Sequence, residues 1–479
     1  MTLSVFDAAR QAPHAEALRC DGARLTFAAL AARAHARSLE LTALGVRALE
    51  AAPVALVVDG SLPMFEYLHA LFALGVPVLP IHPRLTELER SVLLAASAAQ
   101  MLLDPARAKP LLPAPRTPWQ ARQIPDEHAL AYVPTSGSSG TPKLVELSRR
   151  AFLALARADA ARVPGLASDR ALLCLPLSHV GGLSVVTRAL LARRPCVSFR
   201  PHASGLLGSL PQLAECLEAE RITLVSLVPP VLARLLLVAP QLAERAPLRA
   251  VLLGGQACSL ELFEHARQNS VPLMTSYGLT ETCSQVSTLA LPVPALPPLS
   301  QGVVGVGFPL PGLEARIQGG LIEVRGPTLF TRYVGAPSPC DEAGFFNTGD
   351  RGELDPGLGL FVFGRASELV ITGGENVDPT EVEHALLACG GLAAACVFGV
   401  PDAEFGARLV AALEVIDAQT FDESALFAAL DRRLASYKQP RSICRFEVLP
   451  RLASGKLDRS RIREEARLRL RPADRARTS

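Results

Sequence analysis

Along the first hundred residues, amphipathic stretches such as "RLTFAALAARAHARSLELTALG" (residues 24–45) alternate with short apolar runs, "APVALVV" (52–58) and "VPVLPIH" (76–82). Helical spacing followed by a fully apolar run is the rhythm of βαβ units and predicts a parallel sheet covered by helices. Four later segments share another grammar, an apolar run ending in glycine or polar residues: "ALLCLPLSHVGG" (171–182), "ITLVSLVPP" (222–230), "LRAVLLGGQA" (248–257) and "VPLMTSYGLTE" (271–281). In open α/β sheets the ligand crevice lies beyond the carboxyl ends of the strands, so these four ends are expected to meet at one cleft.

After residue 290 the texture changes. "LPVPALPPLSQGVVGVGFPLPG" (291–312) is too rich in Pro and Gly for helix, and "GLEARIQGGLIEVRG" (312–326) alternates as short antiparallel strands do. "GLFVFGRASELVITGGENVDPTEVEHALLACG" (359–390) reads as a strand pair leading into a helix. Asp378 can cap that helix, Pro379 suits its first turn, Glu381 sits at capping-box spacing and Gly390 can end it. The expected fold is α/β: a large N-terminal domain (1–364) of mixed and parallel sheets flanked by helices, with a β-barrel-like subdomain. A junction at 365–368 then leads to a small α+β C-terminal domain (369–479).

Composition narrows the partners. A chain of 479 residues exceeds one ordinary core, in keeping with two domains. A formal charge of +2 favours neither nucleic acid nor an acidic membrane surface, leaving a small molecule as the expected partner. Ten cysteines occur singly, without CxxC pairs, which argues against a zinc site or disulfide framework and for a reducing cytoplasm. The opening residues carry Asp7, Arg10 and Glu16 where a signal peptide needs an apolar core, and the greasiest runs are too short and too broken to cross a bilayer. Monomer and homodimer both remain open.

The stretch "AYVPTSGSSGTPKLVEL" (131–147) packs hydroxyls and glycines between two strand-like runs and places a lysine at the exit. It reads as a hairpin whose turn runs from Ser136 to Pro142, with a helix only after Ser148. A Walker A loop is excluded, because Lys143 is followed by Leu144 and the glycine spacing differs. What remains are Gly137 and Gly140, which let backbone N–H groups turn inward, the hydroxyls of Thr135, Ser136, Ser138, Ser139 and Thr141, and the Lys143 cation. Those donors suit polyphosphate; an ordinary Gly/Ser turn explains the segment alone equally well.

Five segments in order, "TSGSSGTPK", "SYGLTE", "FNTGD", "GRASELVITGGENVDPTEVE" and "SGKLDR", together resemble the signatures of the adenylate-forming enzymes. That family comprises acyl- and aryl-CoA ligases, peptide-synthetase adenylation domains and firefly-type luciferases. The resemblance implies ATP, Mg2+ and coenzyme A, a carboxylic acid substrate and a mobile C-terminal domain. It assigns the Thr135–Lys143 loop to the departing pyrophosphate, Thr280 to the α-phosphate and Glu281 to Mg2+. Gly254, Gly255, Gln256 and Ala257 then approach adenine, with Ser276, Tyr277 and Gly278 beside it. Asp350 takes the ribose hydroxyls, Arg365 supports them, and Lys456 bridges the acid and the α-phosphate. After adenylation the small domain rotates, bringing Gly373, Gly374, Glu375 and Asn376 toward the thiol. The chain departs from the family pattern at Ser367, where Asp or Lys is usual, at Thr141, where a basic residue is frequent, and at Leu144, where Gly is frequent.

For the acid, the resemblance places His179 at the wall between acyl pocket and nucleotide, with Ser184 and Arg188 on the acyl side. No Asp occurs between Pro176 and Arg188 to pair with an amino group, which disfavours an amino acid. Within the family the chain looks most like the o-succinylbenzoate-CoA ligases of menaquinone biosynthesis, whose substrate has a second carboxylate for which Arg188 is the candidate partner. Other aryl- or fatty-acyl-CoA ligases, an enzyme loading a separate carrier protein, and a weakly catalytic nucleotide-binding relative are the alternatives.

Overall fold

The computed structural model describes residues 2–111, 119–120, 122–135, 143–202, 205–292, 298–300, 302–366, 370–372, 375–402, 406–417, 419, 421–434, 438–452 and 455–470. An eight-stranded sheet forms its largest layer, in the order Ser287–Thr288, Leu273–Tyr277, Ala250–Leu253, Leu224–Leu227, Ala171–Leu173, Cys196–Ser198, Glu16–Cys20 and Ala23–Thr26. The six inner strands are parallel and the two outermost pair antiparallel. The four segments whose ends were expected to converge are therefore adjacent, parallel strands, and their carboxyl ends open on one edge. A six-stranded mixed sheet, Arg332–Tyr333, Lys143–Ser148, Ala129–Thr135, Val78–Ile81, Val54–Val57 and Leu102–Leu103, lies beside it.

Helices between these sheets follow from their sequence. Helix Phe27–Ala43 starts where the Thr26 hydroxyl accepts from the Ala29 N–H, and it buries Phe27, Leu30, Ala31, Ala34 and Leu41, one face at helical spacing. Helix Leu62–Leu74 has no polar face, and every residue from Met64 to Leu74 is buried. Its Glu66 carboxylate is accordingly paired with the buried Arg37, at 3.0 Å. None of the helices among the described residues is long and apolar enough to cross a membrane.

The strand-rich segment after residue 290 forms a four-stranded antiparallel sheet, Glu314–Gln318, Leu321–Arg325, Phe346–Asp355 and Gly359–Arg365, open rather than closed among the described residues. The hairpin Val370–Thr372/Glu375–Val377 and the three-stranded sheet Leu392–Asp402, Gly406–Val415, Ser442–Phe446 follow. That sheet is buried on both faces, with period-two alternation. Ala395, Val397, Leu409, Ala411 and Leu413 face Val382, Leu386, Leu426 and Leu430, while Ala394, Cys396, Phe398, Val410 and Ala412 face Ile462 and Ala466. Val370 and Val377 belong to the first of these cores. Asp378 caps helix Pro379–Leu387 as expected, accepting from the Thr380 N–H. Glu381 differs from the expected capping role, because its carboxylate is held by Lys438 Nζ at 2.7 and 2.9 Å.

Two buried histidines make the fold acid-sensitive. His69 is 4 % exposed and its Nδ1 has no partner among the described residues; His82 is 9 % exposed. Burial pushes both imidazoles from 6.5 down to about 4. Between those values the unfolded chain binds protons that the folded one refuses, so stability is complete above pH 6.5 and falls as the pH drops toward 4. Denaturant melts from pH 7.5 to 4 should show this loss. His69→Leu should lessen it by on the order of 3 kcal/mol.

Candidate active site

Tyr277 ends a buried strand of the large sheet, and its hydroxyl donates to Asp350 Oδ2 at 2.6 Å. Asp350 comes from a different layer, the strand Phe346–Asp355. Its other oxygen pairs with Arg365 Nε at 2.9 Å, while Arg365 Nη1 donates to the Thr348 carbonyl at 2.6 Å. The Thr348 hydroxyl accepts from the Asp350 N–H at 3.1 Å and so sets the backbone beneath the carboxylate. Burial and the neighbouring Asp350 raise the Tyr277 phenol well above its usual range, which keeps it a donor. The result is a carboxylate that is 5 % exposed, with both oxygens oriented from outside the cleft.

Beyond Tyr277 the chain must turn sharply. A Cβ at Gly278 would lie 1.8 Å from the Ser284 carbonyl oxygen, so no other residue fits there. The turn places Thr280 and Glu281 in a single 3-10 turn at the strand end, both partly exposed. Glu281 Oε1 accepts from the Tyr333 hydroxyl at 2.9 Å, and its carbonyl accepts from the Phe330 N–H at 2.8 Å. Lys143 Nζ lies 5.0 Å from the centre of the Tyr333 ring. Tyr333 thus links the exit of the Gly/Ser loop to Glu281. Thr135 lies at the loop's entry, its hydroxyl donating to the Lys143 carbonyl at 3.3 Å. Ser136, Gly137, Ser138, Ser139, Gly140 and Thr141 lie outside the described residues, as do Ser367, Gly373, Gly374 and the side chains of Glu375 and Asn376.

Lys456 reaches this edge from the small domain. It sits on a tight hairpin, with the Leu452 N–H donating to the Lys456 carbonyl at 2.8 Å and the Asp458 N–H to the Pro450 carbonyl at 2.9 Å. Protein surrounds the side chain on most sides, yet the lysine stays exposed to the cleft itself. Desolvation, then Arg365, depress its pKa from the ordinary lysine value, and Asp350 and Glu281 oppose them. Gly255 makes room for it. That residue has φ +81°, and a Cβ there would stand 3.0 Å from Lys456 Cε. The Gly254–Ala257 turn therefore lies directly against the lysine, with Gln256 partly buried and Ala257 exposed.

His179 caps helix Val180–Ala192 through its backbone. Burial, then Lys456, then His82 push its imidazole down to about 4, so it is neutral at ordinary pH. His82, at the end of strand Val78–Ile81, accepts from the Arg84 N–H through Nδ1 at 3.1 Å. The remaining residues expected on the acyl side and near adenine have internal partners. The Ser184 hydroxyl donates to the Gly181 carbonyl at 2.7 Å, and that of Ser276 to the Ser287 carbonyl at 3.1 Å. Arg188 pairs with Asp159 at 2.9 Å and donates to the Ser184 carbonyl at 3.1 Å.

The geometry brings together Tyr277, Glu281, Asp350, Arg365, Lys456, Gly255 and His179. Three participants escaped the sequence reading. His82 ends an apolar strand just as the four recognised segments do, and "VLPIHP" carried that signal. Thr348 stood inside "FNTGD", two residues before Asp350, whereas Tyr333 had no signal, since it acts through Glu281, distant in sequence.

Comparison with known proteins shows the family. A family model described as AMP-binding enzyme matches residues 5–334, and one described as AMP-binding enzyme C-terminal domain matches residues 381–456. The 2-succinylbenzoate–CoA ligase of Listeria monocytogenes serotype 4b is 32% identical over 470 residues, covering 95% of this chain and 97% of that one. The enzyme of the same name from Bacillus velezensis is 33% identical over 430 residues, covering 84% and 85%. Among solved structures, o-succinylbenzoate CoA synthetase from Bacillus subtilis in complex with its acyl-adenylate intermediate has a TM-score of 0.82 at 27% identity, covering 96% of this chain and 98% of that one. The same Bacillus enzyme with ATP and magnesium ion also has a TM-score of 0.82, at 28% identity and the same coverage. With one family model matched over residues 5–334, another over residues 381–456, and relatives at 32–33% identity over most of its length, the chain belongs to the AMP-binding enzymes.

Proposed function

We infer that this chain is an ATP-dependent, AMP-forming ligase that joins o-succinylbenzoate to coenzyme A. The observation that carries the reaction class is the approach of one lysine, Lys456, to Asp350, Arg365 and Glu281 at a glycine-lined strand end. The choice of acid rests on the 2-succinylbenzoate–CoA ligases that match over most of both chains. Ten unbonded cysteines support a reducing, cytoplasmic setting.

A free carboxylate is a poor acyl donor, because its charge repels nucleophiles and oxide is a poor leaving group. In the first half-reaction a carboxylate oxygen attacks the α-phosphorus of ATP and pyrophosphate leaves. In the second, the thiol of coenzyme A attacks the acyl carbon and AMP leaves. Lys456 offers the cation that the crowded, anionic α-phosphate requires. Tyr277 and Arg365 each hold one oxygen of Asp350, which fixes the orientation of an acceptor-only carboxylate suited to ribose hydroxyl donors. Glu281, steadied by Tyr333, fits a hard cation that takes one carboxylate and completes its shell with phosphate and water. When bound there, Mg2+ supplies charge neutralisation at the phosphates. Neutral His179 walls the acyl side without adding a second cation beside Lys456. Arg188 can receive the distal carboxylate by sharing or exchanging Asp159. A separate core that begins by Val370, after the expected 365–368 junction, supports a C-terminal unit that turns between half-reactions.

The pairing of Arg188 with Asp159 favours one second reading, an acid that lacks the distal carboxylate. ATP–pyrophosphate exchange over a panel of acids separates the two. O-succinylbenzoate should support the fastest exchange, and a preference for benzoate or a fatty acid would replace it as substrate. Lys456→Ala should lower acyl-adenylate formation at least about 100-fold while leaving thioester formation from preformed adenylate within a few-fold, as rapid-quench assays of each half-reaction would record. Tyr333→Phe should raise the magnesium concentration for half-maximal adenylation by about tenfold, because Glu281 loses the hydroxyl that orients it.

A further inference from the structure

We propose that Arg234, Glu414 and Arg451 form a positioning device that holds the Lys456 hairpin in the cleft for adenylate formation and is released for thioester formation. This rests on the ligase reading above. Arg234 lies on helix Pro229–Val238 of the large domain, and Glu414 on strand Gly406–Val415 of the small one. The two side chains form an ion pair across the domain boundary, in which Glu414 is 1 % exposed and Arg234 31 %. The second Glu414 oxygen accepts from Arg451 Nη2 and from the Leu449 N–H, both at 3.0 Å.

Arg451 is where the lysine hairpin begins. It forms an antiparallel bridge with Leu457, flanked by the Leu452–Lys456 and Asp458–Pro450 hydrogen bonds. Glu414 therefore fixes the base of the hairpin, and Arg234 fixes Glu414 to the large domain. The same segment of the large domain also meets the hairpin's tip. Val228, just before helix Pro229–Val238, lies 3.2 Å from where a Gly455 Cβ would be and 3.6 Å from where a Gly255 Cβ would be. Val228 and Arg234, six residues apart on the large domain, thus meet Gly455 and, through Glu414, the base of the hairpin, and the lysine faces Gly255.

The charge pattern suits a reversible grip. With the small domain docked, one buried carboxylate is shared by two guanidinium groups. Burial lowers the pKa of both arginines, and Arg451 lowers that of Arg234 further. If the small domain turns away, Arg234 returns to water while Glu414 keeps Arg451 and the Leu449 N–H, so no buried charge is left alone. The interaction biases one arrangement of a two-state element and costs little to give up.

The test uses the full chain with Arg234→Ala and Arg234→Lys. Arg234 is partly exposed and outside the reacting groups, so the fold should survive, as a thermal melt can verify. Arg234→Ala should slow ATP–pyrophosphate exchange about tenfold, leave thioester formation from preformed adenylate unchanged or faster, and Arg234→Lys should recover part of the loss. Equal loss in both half-reactions, or no loss in either, overturns the device. Hydrogen–deuterium exchange of the 449–458 peptide needs no substrate. It should speed up in Arg234→Ala alone, and unchanged exchange likewise overturns the proposal. Wild-type protein that forms no adenylate from any acid would remove the ligase reading instead, and the exchange comparison would still decide the device.

Discussion

A lysine ammonium has to be carried to the mouth of a parallel sheet and kept charged there although protein surrounds it on most sides. Desolvation and Arg365 both work against the charge on Lys456; Asp350 and Glu281 work for it. Much of the surrounding architecture follows from that balance. Gly255, in a left-handed backbone conformation, removes the atom that would collide with the lysine's stem. His179 and His82, held neutral by burial, spare it further like charge.

Rigid and movable parts are divided accordingly. Tyr277, Thr280 and Glu281 stand at a strand end or in a turn that leaves little freedom, as at Gly278, where the backbone packs against Ser284. Tyr277 and Asp350 also tie two sheets together, so the placement of this carboxylate depends on the packing of both layers. The lysine instead rides a short hairpin on a unit with its own two-sided core. A cation delivered this way can be withdrawn without disturbing the pocket, and a ligase with two half-reactions in one cleft needs that separation.

Much of the fold was legible because its signals are local. Apolar runs ending in Gly or polar residues marked the adjacent parallel strands, and Asp378 followed by Pro379 marked a helix start that the structure bears out. Glu381 was less legible, since its partner Lys438 stands far along the chain. Arg188 illustrates the same limit: the resemblance made it a candidate on the acyl side, but its partner Asp159, on the neighbouring helix, could not be read from sequence.

The motifs in their order were enough to show the resemblance to the adenylate-forming enzymes, and through it the family and its ATP chemistry. Only the tertiary structure decided which of them meet. Tyr333 beneath Glu281, Tyr277 against Asp350, and Arg234 against Glu414 are pairings between layers or domains. Periodicity reports which face of an element is buried; it is silent on which distant face comes to cover it.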